Sequence, residues 1–217
     1  MQRASIFILF IAFVPIFSLG QETKKVIDKE KNETYYVLKS DKATKHGEYQ
    51  KFGYNNALIL KGNFKNGIKD GVWECYDFDG ALTLRYDYSG KNLLFYKARG
   101  AREATKWYGV AGADTSLTRP AIYLNGGAFI ASEIIKNLKM PRAAVENRKS
   151  GRVNVLFTVD RSGKTTKHRV DEPVGFGMDE EAIRVLKLIP EDWLPAVSKG
   201  QVIEEELSYP ISFRLGS

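Results

Sequence analysis

Gly151-Arg152-Val153-Asn154-Val155-Leu156-Phe157-Thr158-Val159 runs directly into Asp160-Arg161-Ser162-Gly163. Val153, Val155, Phe157 and Val159 fall at every second position, the period of a strand with one buried face. The Asp, Ser and Gly that follow tolerate unusual φ angles and predict a turn, with a return strand over residues 164–170. A hairpin at this point sets the grammar of everything around it.

Upstream, Gly126-Gly127 precedes Phe129, Ile130, Ile134, Ile135 and Leu138. Their three- and four-residue spacing predicts an amphipathic helix that stops before Met140-Pro141, with a short helical turn over residues 142–146. Downstream, Gly175-Phe176-Gly177 introduces a second helix over residues 178–188. Met178, Ala182, Val185, Leu186 and Ile189 form its inner side, while Asp179, Glu180 and Glu181 occupy the first turn, where the helix dipole favours carboxylates. Pro190 ends it. Trp193, Leu194 and Pro195 read as an apolar loop, Lys199-Gly200 as a turn, and residues 201–215 as one long final strand containing Pro210. The predicted order is helix, strand, strand, helix, strand.

The front of the chain is written differently. From residue 32 to 96, short runs of aromatic and β-branched residues alternate with Gly, Asn and Asp, the punctuation of successive hairpins. His46-Gly47-Glu48-Tyr49 returns as Asp70-Gly71-Val72-Trp73 at an offset of 24 residues, which predicts a repeat. Each Gly or Asn-Gly supplies the positive φ of a tight turn, and the aromatic two places later lies on one sheet face against the next unit. Tyr35, Tyr36, Tyr49, Phe52, Trp73, Tyr76, Phe78, Tyr86 and Tyr88 are read as the array's own stacked core. Residues 97–119 lose the strand pattern and read as a linker with local order around Trp107-Tyr108, placing a boundary near residue 120.

Residues 1–20 carry Arg3 and then an apolar run over positions 6–17, a secretory signal pattern with cleavage expected after Gly20. The run is shorter than the roughly 20 residues that span a bilayer; the alternative is an uncleaved short anchor facing the periplasm. No cysteine follows the run, which argues against a lipid-modified N-terminus.

Composition narrows the function. The net charge of +7 sits in the front half: residues 21–119 hold 18 Lys and Arg against 13 Asp and Glu, and residues 120–217 hold 14 against 13. This surplus suits solubility or contact with an anionic membrane surface, and export disfavours nucleic acid. One cysteine, Cys75, and two histidines, His46 and His168, cannot build a structural zinc site or a disulfide. No P-loop, G-x-S-x-G or H-E-x-x-H string is present. Glu204, Glu205 and Glu206 are consecutive, so a strand sends the middle one to the opposite face; they are no catalytic pair. His168, between Lys167 and Arg169, reads as structural, and Cys75 as a small core residue. Neither an enzyme nor a cofactor is expected.

Two resemblances sharpen these expectations. Residues 45–96 resemble MORN-type repeats in the variant form built on G-x-[WY] and Asn-Gly turns, which implies a flat β array that contacts lipid or protein. The string Gly126-Gly127, Asn137-Leu138-Lys139-Met140-Pro141 with Ala143, Gly151-x-Val153-x-Val155-x-Phe157-x-Val159, Gly175-x-Gly177-Met178-Asp179, Pro190-x-x-Trp193-x-Pro195, and Gly200-Gln201 with Pro210, Ile211 and Phe213 resembles the TonB C-terminal domain. Met140 stands where that family usually has tyrosine. The expected fold class is therefore α+β: a TonB-like three-stranded antiparallel sheet with two helices over residues 120–217, preceded by an all-β MORN-like array over residues 32–96.

The TonB resemblance implies a periplasmic domain without an active site, whose free sheet edge captures an extended segment of an outer-membrane receptor while inner-membrane proton-motive proteins pull on an anchored N-terminus. Such capture is β-augmentation, in which unpaired edge N–H and C=O groups bond to an incoming chain. By position, the implied partner-binding residues are Leu138, Lys139, Met140, Pro141 and Arg142, with Val202, Ile203, Glu204, Glu205, Glu206, Leu207, Ser208 and Tyr209 of the final strand. Strand alternation buries about half of Val202, Leu207, Ile211 and Phe213. An energised transducer needs a Pro-rich tether to bridge the periplasm, and the chain has 7 prolines and no such run. A non-energised periplasmic adaptor that uses both modules for protein or envelope binding is the alternative.

Overall fold

The computed structural model describes residues 21–97 and 117–215. The signal segment, the Trp107-Tyr108 region and most of the expected linker lie outside the described residues.

Seven strands form one antiparallel meander in chain order: β1 (Thr23–Asp28), β2 (Glu33–Leu38), β3 (Lys45–Phe52), β4 (Leu58–Lys65), β5 (Ile68–Tyr76), β6 (Leu82–Asp87) and β7 (Asn92–Tyr96). β1 begins ahead of the array expected from the sequence. Gly47 and Gly71 adopt the expected positive φ, 101° and 61°, but both lie within strands, β3 and β5, and not in the turns between them. Tyr49 and Trp73 lie on one face with ring centroids 5.4 Å apart. Phe64 and Tyr88, also 24 residues apart, meet Trp73 edge-on at 5.1 and 5.8 Å. Lys45 and Lys69 complete the unit: the first ammonium sits 4.4 Å over Tyr35 and 4.7 Å over Tyr49, the second 4.4 Å over Trp73 and 4.6 Å over Tyr88. The repeat is thus Lys-x-Gly-x-aromatic, in which a cation on each ring face adds electrostatic attraction to the stacking.

This aromatic face is not stacked on itself alone. Tyr49, Trp73, Cys75, Leu84 and Tyr86 share one buried core with Ile122, Tyr123, Leu124, Ile130, Val155, Phe157, Met178 and Phe213 of the C-terminal half. Tyr76 turns to the opposite face, where its hydroxyl donates to Glu74 Oε2 at 2.6 Å.

The C-terminal half contains β8 (Leu117–Arg119), β9 (Ile122–Tyr123), α1 (Gly127–Asn137), α2 (Arg142–Glu146), β10 (Gly151–Val159), β11 (Thr165–Val170), α3 (Met178–Leu186), β12 (Trp193–Leu194), β13 (Ala196–Ser198), β14 (Gln201–Ile203) and β15 (Glu205–Phe213). β10, β11 and β15 form an antiparallel sheet in the order β11-β10-β15. Met178, Ala182 and Val185 of α3 are fully buried, as are Val153, Val155 and Val159 of β10, and α3 packs on β10 and β11. α1 contacts both α3 and β4, so it lies between this sheet and the seven-stranded one. Gly126 makes that approach possible: its φ is 81°, and a Cβ there would stand 2.8 Å from Cys75 Cβ on β5. Arg184 donates to the Asn137 carbonyl at 2.8 Å, fastening the end of α1 to α3.

The long final strand expected over residues 201–215 is two strands. β14 pairs with β13 in the small sheet β14-β13-β8, and only β15 joins β10. The Trp193-Leu194 loop is likewise a strand, paired with β9.

Candidate functional site

β15 pairs with β10 along its whole length, from Glu205 opposite Val159 to Phe213 opposite Gly151. Leu207, Tyr209, Ile211 and Phe213 are buried on the face toward α3, as alternation requires. Among the described residues, β15 has no second strand neighbour.

The direction of its backbone groups follows from two residues. The Asn154 carbonyl accepts from the Asp171 N–H at 3.0 Å, so it faces the β11 side. Asn154 stands opposite Pro210. In an antiparallel ladder a residue turns its N–H and C=O to the same neighbour, so this pair is not hydrogen-bonded and Pro210 turns its backbone away from β10. By alternation Glu206, Ser208 and Ser212 do the same. The free margin therefore offers three N–H donors and four carbonyl acceptors, with the missing donor at Pro210. Proline at an outward position of an edge strand costs the native ladder nothing and blunts the edge against indiscriminate pairing.

Side chains around this margin are charged and paired. Arg169 of β11 reaches Glu206 at 2.6 Å, and Lys167 reaches Glu204 at 3.4 Å. Glu205 points the other way, and its carboxylate accepts from the Ala121 N–H at 2.6 Å. Burial raises the Glu205 pKa above the usual carboxylate value, opposed by that hydrogen bond and by Arg119. The three consecutive glutamates thus split across two faces, as their spacing predicts.

The remaining partner-binding residues expected from the sequence are not all on this edge. Val202 and Ile203 lie in β14, opposite Val197 and Ala196, so they are corrected out of the three-stranded sheet; the chain leaves one ladder and enters the other at Glu204. Val202 is exposed rather than core. The segment 138–142 is fastened to α3: the Lys139 N–H donates to Glu181 Oε1 at 2.7 Å, and a Cβ on Gly177 would stand 3.2 Å from Pro141. Leu138 and Met140 pack against the core, while Arg142 is exposed and pairs with Glu146 at 2.6 Å. Lys139 and Pro141, with Glu180, Glu181 and Arg184, line an open cleft of about 430 Å³ beside this segment.

Elsewhere, His168 stacks on Phe157 at 5.8 Å and 13°, with its pKa lowered by burial and by Lys187. The Cys75 thiol donates to the Leu124 carbonyl at 3.3 Å, and burial pushes its pKa up to about 12. Both are occupied in packing. Sequence reasoning missed Lys51, which is buried, and Lys69, which is half-buried, both at the junction of the halves; the second carries a legible signal, its 24-residue offset from Lys45.

Among the described residues, a three-stranded antiparallel sheet with one helix on its inner face and β15 at its margin makes a small α+β domain. Residues 136–215 match the family model described as Gram-negative bacterial TonB protein C-terminal. The matched stretch begins at the last turn of α1 and includes everything from α2 to β15, which supports reading it as a TonB C-terminal domain. The seven-stranded sheet lies outside the match. No curated protein and no solved structure matches the chain. Among the described residues, no helix is long and apolar enough to cross a membrane.

Proposed function

We propose that the chain is an exported, non-enzymatic envelope protein whose β15 margin takes up an extended segment of a protein partner as an added strand, in TonB-like energy coupling to outer-membrane transporters. The observation that carries this reading is the outward backbone of Glu206, Ser208, Pro210 and Ser212, on the last strand of a stretch that matches the TonB C-terminal model. Main-chain bonds supply the affinity in such capture, and alternate side-chain pockets supply the choice of partner. The 138–142 segment, beside the cleft at α3, is the second contact.

One observation favours a second reading. Residues 21–97 are folded into a sheet that shares its core with the C-terminal half, where an energised transducer needs an extended spacer. On that reading the protein is a periplasmic adaptor that presents the same margin without transmitting force, and the repeat sheet acts as a platform for protein or membrane-surface contact.

Disulfide trapping tests the shared claim. With cysteine introduced at Ser212 and, in parallel, across the periplasm-facing extended segment of an outer-membrane receptor, crosslinks are expected at alternate receptor positions. Equal crosslinking from a control cysteine at Arg152, or none from Ser212, contradicts strand capture. Dissipating the proton-motive force separates the readings: a transducer loses its crosslink pattern, and an adaptor retains it.

A further inference from the structure

The β15 margin carries its charge unevenly. At its start, Glu206 is held by Arg169 at 2.6 Å and Glu204 by Lys167 at 3.4 Å, so the carboxylates there are already paired. At its far end stand Arg152, opposite Ser212, and Arg214, one place past Phe213. Both arginines are exposed, and among the described residues neither has a carboxylate within ion-pair distance. Arg214 stays in line with the strand, because the next N–H, that of Leu215, donates to Ser150 Oγ at 3.2 Å beside the start of β10.

The sheet itself shows how far such an arginine reaches. Arg169 lies on β11 and Glu206 on β15, so their contact spans the full width of β10 between them. Neighbouring strands are about 4.8 Å apart, and an arginine side chain covers most of the way to a carboxylate two strands off. Arg152 stands on β10, one strand nearer the margin. It is placed toward a strand added beside β15 as Arg169 is placed toward β15, with Ser212 as the residue in between. Like Asn154 and Pro210 two places away, Arg152 and Ser212 form a pair without mutual hydrogen bonds, the kind in which side chains stand closest. Serine is short enough to leave the path over it open.

We propose that the segment taken up at β15 carries an aspartate or glutamate at the residue facing Ser212, bracketed by Arg152 across β15 and by Arg214 along the strand, and that this acid fixes the register of capture. The inference rests on strand capture at β15 and adds the chemistry of the partner. Main-chain bonds repeat at every second residue and distinguish one register from the next only weakly. Two unpaired guanidinium groups at one end of the margin supply the distinction. An acid placed further along faces Pro210 or Ser208 and approaches Glu206 instead, where like charges repel.

Calorimetric titration of the full chain tests this with the peptide acetyl-Ser-Val-Thr-Val-Asp-Val-Thr-Val-Ser-amide and its counterpart with asparagine at the centre. The aspartate peptide is expected to bind about fivefold tighter, the scale of an exposed ion pair held from two sides. Arg152→Gln/Arg214→Gln is expected to bring it to the affinity of the asparagine peptide. With cysteine introduced at Ser208 and single cysteines along the peptide, moving the aspartate by two places is expected to move the preferred disulfide by two places. Equal binding of the two peptides, a preference that survives in the double variant, or a disulfide position that ignores the aspartate overturns this inference and leaves strand capture standing. Binding by neither peptide overturns both.

Discussion

Lys69 Nζ lies 2.7 Å from Asp192 Oδ2 across 123 positions of chain. The same ammonium donates to Asn125 Oδ1 and, at 2.8 Å, to the Tyr88 hydroxyl, which itself donates to Asp192 at 2.7 Å. Burial lowers the Lys69 pKa, and the Asp192 carboxylate works against that shift. The corresponding lysine one repeat earlier, Lys45, finds its carboxylate in Glu33 of the neighbouring strand at 3.3 Å. At Lys69 the acid comes instead from the C-terminal half, so the last unit of the repeat is completed by the domain packed on it.

Replacing Lys69 with methionine leaves the part-buried Asp192 carboxylate without its cation. Removing one partner of a fully buried pair costs about 3 kcal/mol or more; partial exposure reduces this to about 2 kcal/mol, and Lys69→Met is expected to lower the urea midpoint by a corresponding amount. Because both halves line one core, the loss should appear in one transition by Trp73 fluorescence and by far-ultraviolet circular dichroism. Separate midpoints from the two signals contradict the shared core. In Lys69→Met/Asp192→Asn part of the loss returns, since no lone charge remains.

Gly62 stands opposite Tyr49 in the β3–β4 ladder, with the Trp73 indole lying over it. A Cβ at Gly62 would come within 2.2 Å of that ring. Gly62→Ala is expected to destabilise the protein by about 3 kcal/mol, the upper part of the range for overpacking a close-packed core, and to shift the Trp73 emission. A variant as stable as the parent contradicts the described stacking.

Acid should weaken one cluster on the outer face of the repeat sheet. Lys61 at 2.8 Å, then Tyr76 and Arg85, hold the Glu74 pKa at about 2 against an ordinary 4.5. A folded-state pKa below the unfolded one gives stability that is complete above the unfolded value and lost as pH falls toward the folded value. Lys61 and Arg85 are 44 % exposed, and solvent screening limits the contribution to about 1 kcal/mol. The stability gap between the parent and Glu74→Gln is expected to be full at pH 6 and to close between about pH 4.5 and pH 2. A gap independent of pH over that window contradicts the assignment.

Much of the C-terminal fold was legible because its elements are long enough to show a period. The 3.6-residue spacing from Phe129 to Leu138 and the alternation from Val153 to Val159 lead directly to α1 and β10. β9, β12, β13 and β14 are two or three residues each, too short for any period; β9, β12 and β13 exist because Tyr123, Trp193 and Val197 find partners distant in the chain, and β14 is the short return of the Lys199-Gly200 turn onto β13. The break at Glu204 was hidden for the same reason, as alternation continues through it while the pairing partner changes. Burial of Leu207, Ile211 and Phe213 could be read from spacing. The outward turn of the Pro210 backbone could not, because it depends on the register with Asn154.

That register makes the free margin adjustable in both directions. Ser208→Pro removes an outward donor that the native ladder does not use. It is expected to leave the melting temperature nearly unchanged and to weaken partner binding about tenfold or more. Pro210→Ser restores the missing donor and is expected to strengthen partner binding or promote self-association by sedimentation. Unchanged or strengthened binding in Ser208→Pro, or weakened binding in Pro210→Ser, contradicts the outward assignment.

Amide hydrogen exchange resolved by residue tests the central claim most directly. In the full chain without partner, the Glu206, Ser208 and Ser212 amides should exchange fast while Leu207, Tyr209, Ile211 and Phe213 stay protected, giving alternation along one strand. Equal slow exchange at Ser208 and Ser212 would mean that the margin is already filled and cannot receive another chain.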